Sequence, residues 1–63
     1  LAEKAAERAR TWRSKVVLQP MPAAERRIVH LALAGRTDVR TESEGRGKDR
    51  RVTIVPVEPG YDG

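Results

Sequence analysis

The sequence predicts a small α+β domain in which two helices pack on one face of a small, three-stranded, largely antiparallel sheet. Two segments carry apolar residues at helical spacing, and three others have the composition or alternation of strands. The length of 63 residues allows one domain with a thin core. Covering one face of the sheet with both helices is the economical way to bury the apolar stripes.

Residues 1–13 predict the first helix, because their apolar side chains recur at helical spacing. The stripe consists of Ala2, Ala5, Ala6, Ala9 and Trp12. Since most of it is alanine, we expect this helix to approach its neighbours closely, with Trp12 as a bulky anchor in the core.

A short strand is predicted at Lys15–Gln19, where β-branched residues stop at Pro20 and Pro22. The second helix is predicted from about Pro22 to Ala34, with Met21 as a poor N-cap and Gly35 as the stop signal. Its expected core-facing stripe is Ala24, Ile28, Leu31 and Ala32.

The remaining chain predicts a β-hairpin. Val39–Glu44 alternates with Val39, Thr41 and Ser43 on one face, and residues 45–49 form a glycine-containing turn. Arg50–Val55 is the strongest predicted strand, with Val52 and Ile54 facing the core. We therefore divide the chain into a linker helix (1–14) that packs on the domain, the domain itself (15–55) and a flexible tail (56–63).

Charge and composition exclude several classes of function and favour an anionic partner. Thirteen Lys and Arg against nine Asp and Glu give a net charge of +4, and ten of the cations are arginine, which suits phosphate. The absence of cysteine excludes a disulfide framework and a thiolate metal site, and one histidine is too few for a histidine-built zinc site. We expect no cofactor. With no phenylalanine, an aromatic base-stacking sheet is excluded.

Arg26 and His30 are the sharpest candidate site residues. They lie four positions apart, so their side chains are about 40° apart around a helix. If Ile28 points toward the core, both point outward and can bind one phosphate. The alternatives are an exposed pair with nothing bound, or a His30 side chain packed against a neighbouring element.

A second candidate site is the basic cluster around the predicted hairpin. It consists of Arg46, Lys48, Arg50 and Arg51, with Arg40 on the preceding strand. Arg27 on the second helix is expected to help in binding. The alternative is that these charges protect an exposed hairpin from edge pairing, or that Glu42, Glu44 and Asp49 neutralise them.

Three segments together resemble one family. They are P-M-P-A-A-E-R-R-I-V-H (residues 20–30), V-R-T-E-S-E-G (39–45) and R-R-V-T-I (50–54). Over residues 15–55 the chain is similar to the R-three-H domain, which is named for its Arg-x-x-x-His signature. It resembles in particular the R-three-H domain that forms the C-terminal end of the bacterial Jag (SpoIIIJ-associated, KhpB/EloR-type) proteins. The signature residues match Arg26 and His30.

The resemblance implies three strands with two helices on one side and binding of single-stranded nucleic acid. It further implies a cytoplasmic RNA-binding protein tied to cell elongation and division, with a KH domain upstream as a partner in the same chain. The start at Leu1 instead of Met agrees with a piece of a longer protein.

We therefore expect a module that binds single-stranded RNA or DNA, mainly through phosphates and with little base specificity. We expect it to be monomeric as an isolated domain, without membrane insertion and without enzymatic activity. The alternative is a protein-docking module that uses the flank formed by Val29 and Leu33. A phosphoesterase is a third class, but no carboxylate cluster with metal-ligand spacing supports it.

Overall fold

A computed structural model describes residues 2–57 and contains two helices and one three-stranded sheet. The elements are α1 (Ala2–Trp12), β1 (Val16–Val17), α2 (Ala23–Leu33), β2 (Val39–Glu44) and β3 (Arg51–Pro56), with a short 3-10 turn (Gly47–Asp49) between β2 and β3. The strand order is β1-β3-β2, and both pairings are antiparallel. The predicted α+β class and the order of its elements are confirmed.

The register of the sheet places Val16, Val39, Val52 and Ile54 on one face. Ile54 lies opposite Val16 in β1 and Thr41 in β2, and Val52 lies opposite Ser43. Paired residues in an antiparallel ladder point to the same side. Val52 and Ile54 are fully buried, as predicted, and form the centre of the core.

The alanine side chains of α1 pack against the core. Ala6 and Ala9 are fully buried and Ala5 is nearly so, because small side chains let the helix lie close to β3. The expectation for Trp12 is wrong, since this side chain is 65% exposed. Trp12 is the last residue of α1, and Arg13 then turns the chain through the left-handed region (φ 54°).

α2 packs on the sheet with the face opposite to the expected one. Ile28 and Leu31 are 65% and 70% exposed, whereas Leu33 is buried and Val29 is half-buried against the core. α1 already covers Val52 and Ile54, so α2 makes most of its sheet contacts with β2. The predicted stripe of Ala24, Ile28, Leu31 and Ala32 therefore faces solvent.

Several boundaries differ from the predictions by one or a few residues. The N-cap position of α2 is Pro22, whose carbonyl accepts the N–H groups of Glu25 and Arg26, so Met21 is not the cap. Pro56 still belongs to β3 and not to a tail. The remainder of the predicted tail, residues 58–63, lies outside the described residues. Within residues 2–57, neither helix is long and apolar enough to cross a membrane.

Candidate nucleic-acid interface

Arg26 and His30 lie between α2 and the sheet and do not point outward. Both are half-buried, on the same arc of α2 as Val29 and Leu33. Positions 26, 29, 30 and 33 have the i, i+3, i+4, i+7 spacing of a packed helix face. The spacing correctly places Arg26 and His30 on one side of the helix, but that side faces the sheet, so the prediction that they point outward is wrong.

Two hydroxyl groups of β2 bind the imidazole of His30. Its Nδ1 lies 2.5 Å from Thr41 Oγ1, and its Nε2 lies 3.0 Å from Ser43 Oγ. A hydroxyl can donate or accept, so both ring nitrogens are satisfied in either neutral tautomer. His30 therefore connects the middle of α2 to the half of β2 that leads into the hairpin turn, as in the packed alternative.

Arg26 connects α2 to the segment that precedes it. Its Nη1 donates to the Met21 carbonyl at 2.7 Å, and the Met21 N–H donates to the Arg50 carbonyl at 3.2 Å. Met21 is thus bound on one side by α2 and on the other by the start of β3. Arginine carries five N–H donors, so Arg26 retains others for a ligand.

The hairpin turn is fixed by its backbone and by two arginines. Gly45 has φ +93°, and a Cβ there would lie 2.7 Å from the Asp49 carbonyl oxygen, so the turn requires glycine. Arg50 Nη1 donates to the Gly45 carbonyl at 2.8 Å, and Arg51 Nε donates to the Asp49 carbonyl at 3.0 Å. Because these acceptors are neutral, both arginines keep their full positive charge at the surface.

We call Arg46, Lys48, Arg50 and Arg51 the hairpin patch. Within the described chain, none of these four forms an ion pair, and neither does Arg27. Of the acidic neighbours, Glu42 pairs with Arg40 at 3.3 Å and Glu44 accepts a hydrogen bond from Thr53. Asp49 lies in the turn itself, between Lys48 and Arg50, and forms no ion pair among residues 2–57. Arg26 is linked to the patch through Met21, which bonds to the Arg50 backbone, and His30 contacts Ser43 near the end of β2. Arg27 is exposed on α2.

The opposite end of the molecule has compensated charges. The Arg36 guanidinium binds both carboxylate oxygens of Asp38, at 2.9 and 2.6 Å, and reaches Glu3 and Glu7 at 2.9 Å each. Hydrogen bonds from Arg36 lower the pKa of Asp38 to about 2, and those from Arg10 and Arg36 lower the pKa of Glu7 below its ordinary value. At this end the carboxylates are therefore paired with arginines, whereas the four cations of the hairpin patch have no carboxylate partner among residues 2–57.

A groove that the sequence did not predict lies beside the hairpin patch. Its walls are Pro20, Met21 and Pro22 on one side and Gly47 and Lys48 on the other, and its volume is about 420 Å³. The two walls are far apart in sequence, so no local pattern indicates the groove. The Pro-Met-Pro triplet, which is rigid and lacks side-chain donors, is the signal that could have suggested an apolar wall. In the described part of the chain, no group of acidic and histidine side chains is placed to hold a metal ion.

Comparison with known proteins defines the class of the domain. A family model described as the R-three-H domain matches residues 1–56. This match covers most of the 63 residues, including both helices, all three strands and the Arg26/His30 pair. The chain belongs to the R-three-H domain family, and the resemblance seen in its sequence is confirmed.

Two curated relatives share this region. The chain is 41% identical over 55 residues to the RNA-binding protein KhpB of Lactiplantibacillus plantarum, covering 87% of this chain and 17% of that protein. It is 36% identical over 56 residues to the RNA-binding protein KhpB of Bacillus subtilis, covering 86% of this chain and 27% of that protein. The chain thus spans between about a sixth and a quarter of the length of these relatives.

Proposed function

We propose that this domain binds single-stranded nucleic acid, most readily RNA, through the phosphate backbone at the hairpin end. The observation that carries this proposal is the cluster of four cations around the hairpin turn. The hairpin patch and Arg27 are without carboxylate partners among residues 2–57, whereas Arg36 at the other end is surrounded by three carboxylates. The R-three-H family and the RNA-binding relatives support a nucleic acid as the polyanion.

The chemistry of the patch suits phosphates better than base edges. Guanidinium and ammonium groups form charge-assisted hydrogen bonds with phosphate oxygens. Phosphate contacts orient a strand without reading its sequence, so we expect little base specificity. Arg26 adds its remaining donors from behind the patch, and His30 holds β2 and the base of the turn in place.

Salt dependence tests the phosphate mechanism. If about four phosphates are neutralised, log K for a single strand falls with log[salt] at a slope near −3. Lys48→Gln removes one contact and reduces the slope by about 0.7. Lys4→Gln is the matched control, because it removes the same charge from the exposed surface of α1 and leaves the slope unchanged. Fluorescence anisotropy of a labelled oligonucleotide measures both, and a flat salt response would overturn the mechanism.

We propose binding and not catalysis as the activity. A phosphoesterase would need His30 as an acid or base, but both of its ring nitrogens already contact hydroxyl groups of β2. Turnover of an RNA substrate that survives chelators and disappears in His30→Ala would contradict this proposal.

We also propose that the domain works within a longer cytoplasmic protein, with a KH domain upstream, that acts in cell elongation. The support is the family resemblance and the greater length of both relatives. Measuring oligonucleotide affinity for the domain alone and for the longer protein tests this proposal. An upstream domain that binds RNA raises the affinity through effective concentration, and equal affinities would contradict the expectation.

Protein docking is a second candidate, supported by a different surface from the one expected. Val29 and Leu33 are packed inside, but Ile28 and Leu31 are exposed on the outer face of α2. Under this alternative, the double substitution Ile28→Gln and Leu31→Gln abolishes docking to the upstream domain and leaves oligonucleotide binding unchanged.

A further inference from the structure

One wall of the groove beside the hairpin patch is held in place before any ligand binds. Two of its wall residues are prolines, whose rings hold the backbone in one conformation. Between them, Met21 is held by its N–H bond to the Arg50 carbonyl and by the Arg26 bond to its own carbonyl. A ligand that enters this groove therefore loses little free energy in ordering this wall.

The lining of the groove is apolar with a cation at its edge. Pro20, Met21 and Pro22 offer ring and side-chain carbons and a thioether, and Gly47 contributes bare backbone. Lys48 is the charged residue among the lining residues, and no carboxylate pairs with it in the described chain. The volume of about 420 Å³ lies within the range of roughly 300–1,000 Å³ of small-molecule sites.

This combination fits a flat ring that is attached to a phosphate. A thioether contacts an aromatic face favourably, and single-strand binders gain affinity by placing bases against side-chain surfaces. A second groove, lined by Met21, Ile28 and Val29 among others, is a poorer site because Glu25 lies in its wall. The Glu25 carboxylate repels a phosphate, whereas Lys48 attracts one.

We propose that the groove between Pro20–Pro22 and Gly47–Lys48 holds one unpaired nucleobase of the bound strand, with the Lys48 ammonium on a flanking phosphate. Arg26 is then a positioning residue, which holds Met21 in the wall of this site. This inference rests on the proposed nucleic-acid binding and adds a contact to a base. Apart from Lys48, the lining side chains carry no hydrogen-bond donor, so the site accepts different bases with weak preference.

The test compares two strands of about eight nucleotides, a usual site size, one with bases and one with the same backbone but no bases. Both carry the same phosphates, so anisotropy titration isolates the contribution of the base. We expect the strand with bases to bind about fivefold more tightly, which corresponds to about 1 kcal/mol. Met21→Ala should remove most of this difference, and Ile28→Ala, which removes an exposed apolar side chain outside the groove, should preserve it.

The outcomes separate the inference from the function on which it rests. Equal, salt-dependent binding of the two strands overturns the base site and leaves phosphate binding intact. A difference that persists in a folded Met21→Ala variant, checked by circular dichroism, also overturns it, because the base then lies elsewhere. No binding of either strand overturns the proposed function itself. The comparison of strands uses the unmodified protein, so a poorly folded variant does not prevent a result.

Discussion

At the scale of single residues, the signature pair of this domain joins structural elements. His30 contacts hydroxyl groups at two positions of β2, and Arg26 binds the carbonyl of Met21. Both side chains therefore fix the position of the hairpin end relative to α2. We therefore expect the candidate site to depend on both side chains through the position of the hairpin.

Replacing Arg26 should destabilise the fold. Arg26→Ala removes a charge-assisted hydrogen bond of 2.7 Å from a half-buried group and should lower the free energy of unfolding by about 1–2 kcal/mol. Arg27→Ala removes the same side chain from an exposed neighbouring position and should change it by less than about 0.5 kcal/mol. Urea denaturation measures both values. Equal midpoints for the two variants would show that Arg26 does not hold the Met21 segment.

The roles of Arg26 and His30 could be predicted only in part. Their spacing correctly predicts that they lie on one side of a helix. α2 carries apolar residues on two sides, Ile28 and Leu31 on one and Val29 and Leu33 on the other. Periodicity cannot choose between two such faces. The choice depends on the sheet, where Thr41 and Ser43 offer hydroxyl groups that match an imidazole and not an isoleucine.

At the scale of elements, the two long strands were the most predictable part of the chain. β2 has the predicted bounds, Val39–Glu44, and β3 is shifted by one residue. Alternation with a period of two specifies the buried face, and a two-glycine turn specifies the hairpin. The groove was not predictable in this way, because its walls meet only when the segment before α2 packs beside the turn.

Ion pairs connect α1 to the loop before β2. Arg36 lies in that loop and reaches Asp38 in the loop and Glu3 and Glu7 on α1. A two-point contact with Asp38 fixes the orientation of the guanidinium plane. This network attaches the alanine-rich helix to the rest of the domain at the end opposite the hairpin patch.

The network makes stability sensitive to acid. The folded-state pKa of Asp38 is about 2, below its ordinary value of 3.8, so the unfolded chain takes up this proton first as the pH falls. The stabilisation is complete above about pH 4 and is lost as the pH falls through about 2. Asp38→Asn should therefore lower stability at neutral pH and flatten its decline between these values. Urea denaturation at a series of pH values measures this dependence.

A second variant separates charge from geometry in the same network. Arg36→Lys keeps the positive charge but loses the paired contact with the two oxygens of Asp38. The free energy of unfolding of Arg36→Lys should still fall with acid, but by less than that of the unmodified protein. The fall should be smaller again in Asp38→Asn, which has no carboxylate to protonate. An unchanged pH profile in both variants would contradict the assignment of this stabilisation to Asp38.

At the scale of the whole molecule, the two ends differ in charge. One end holds Arg36 among three carboxylates, and the other presents the hairpin patch without carboxylate partners among residues 2–57. The four patch cations thus lie together around the turn, where the groove opens beside Lys48. Such a concentration attracts a polyanion to one end and orients it there.

The most direct measurement is chemical-shift mapping of the labelled domain during titration with a short single-stranded RNA. We expect the backbone amide signals of Met21, Arg46 and Lys48 to shift in a salt-dependent way, while those of Glu7 and Asp38 keep their positions. Shifts centred on the Arg36 network or on the exposed face around Ile28 and Leu31, or no shifts at all, would contradict binding at the hairpin end.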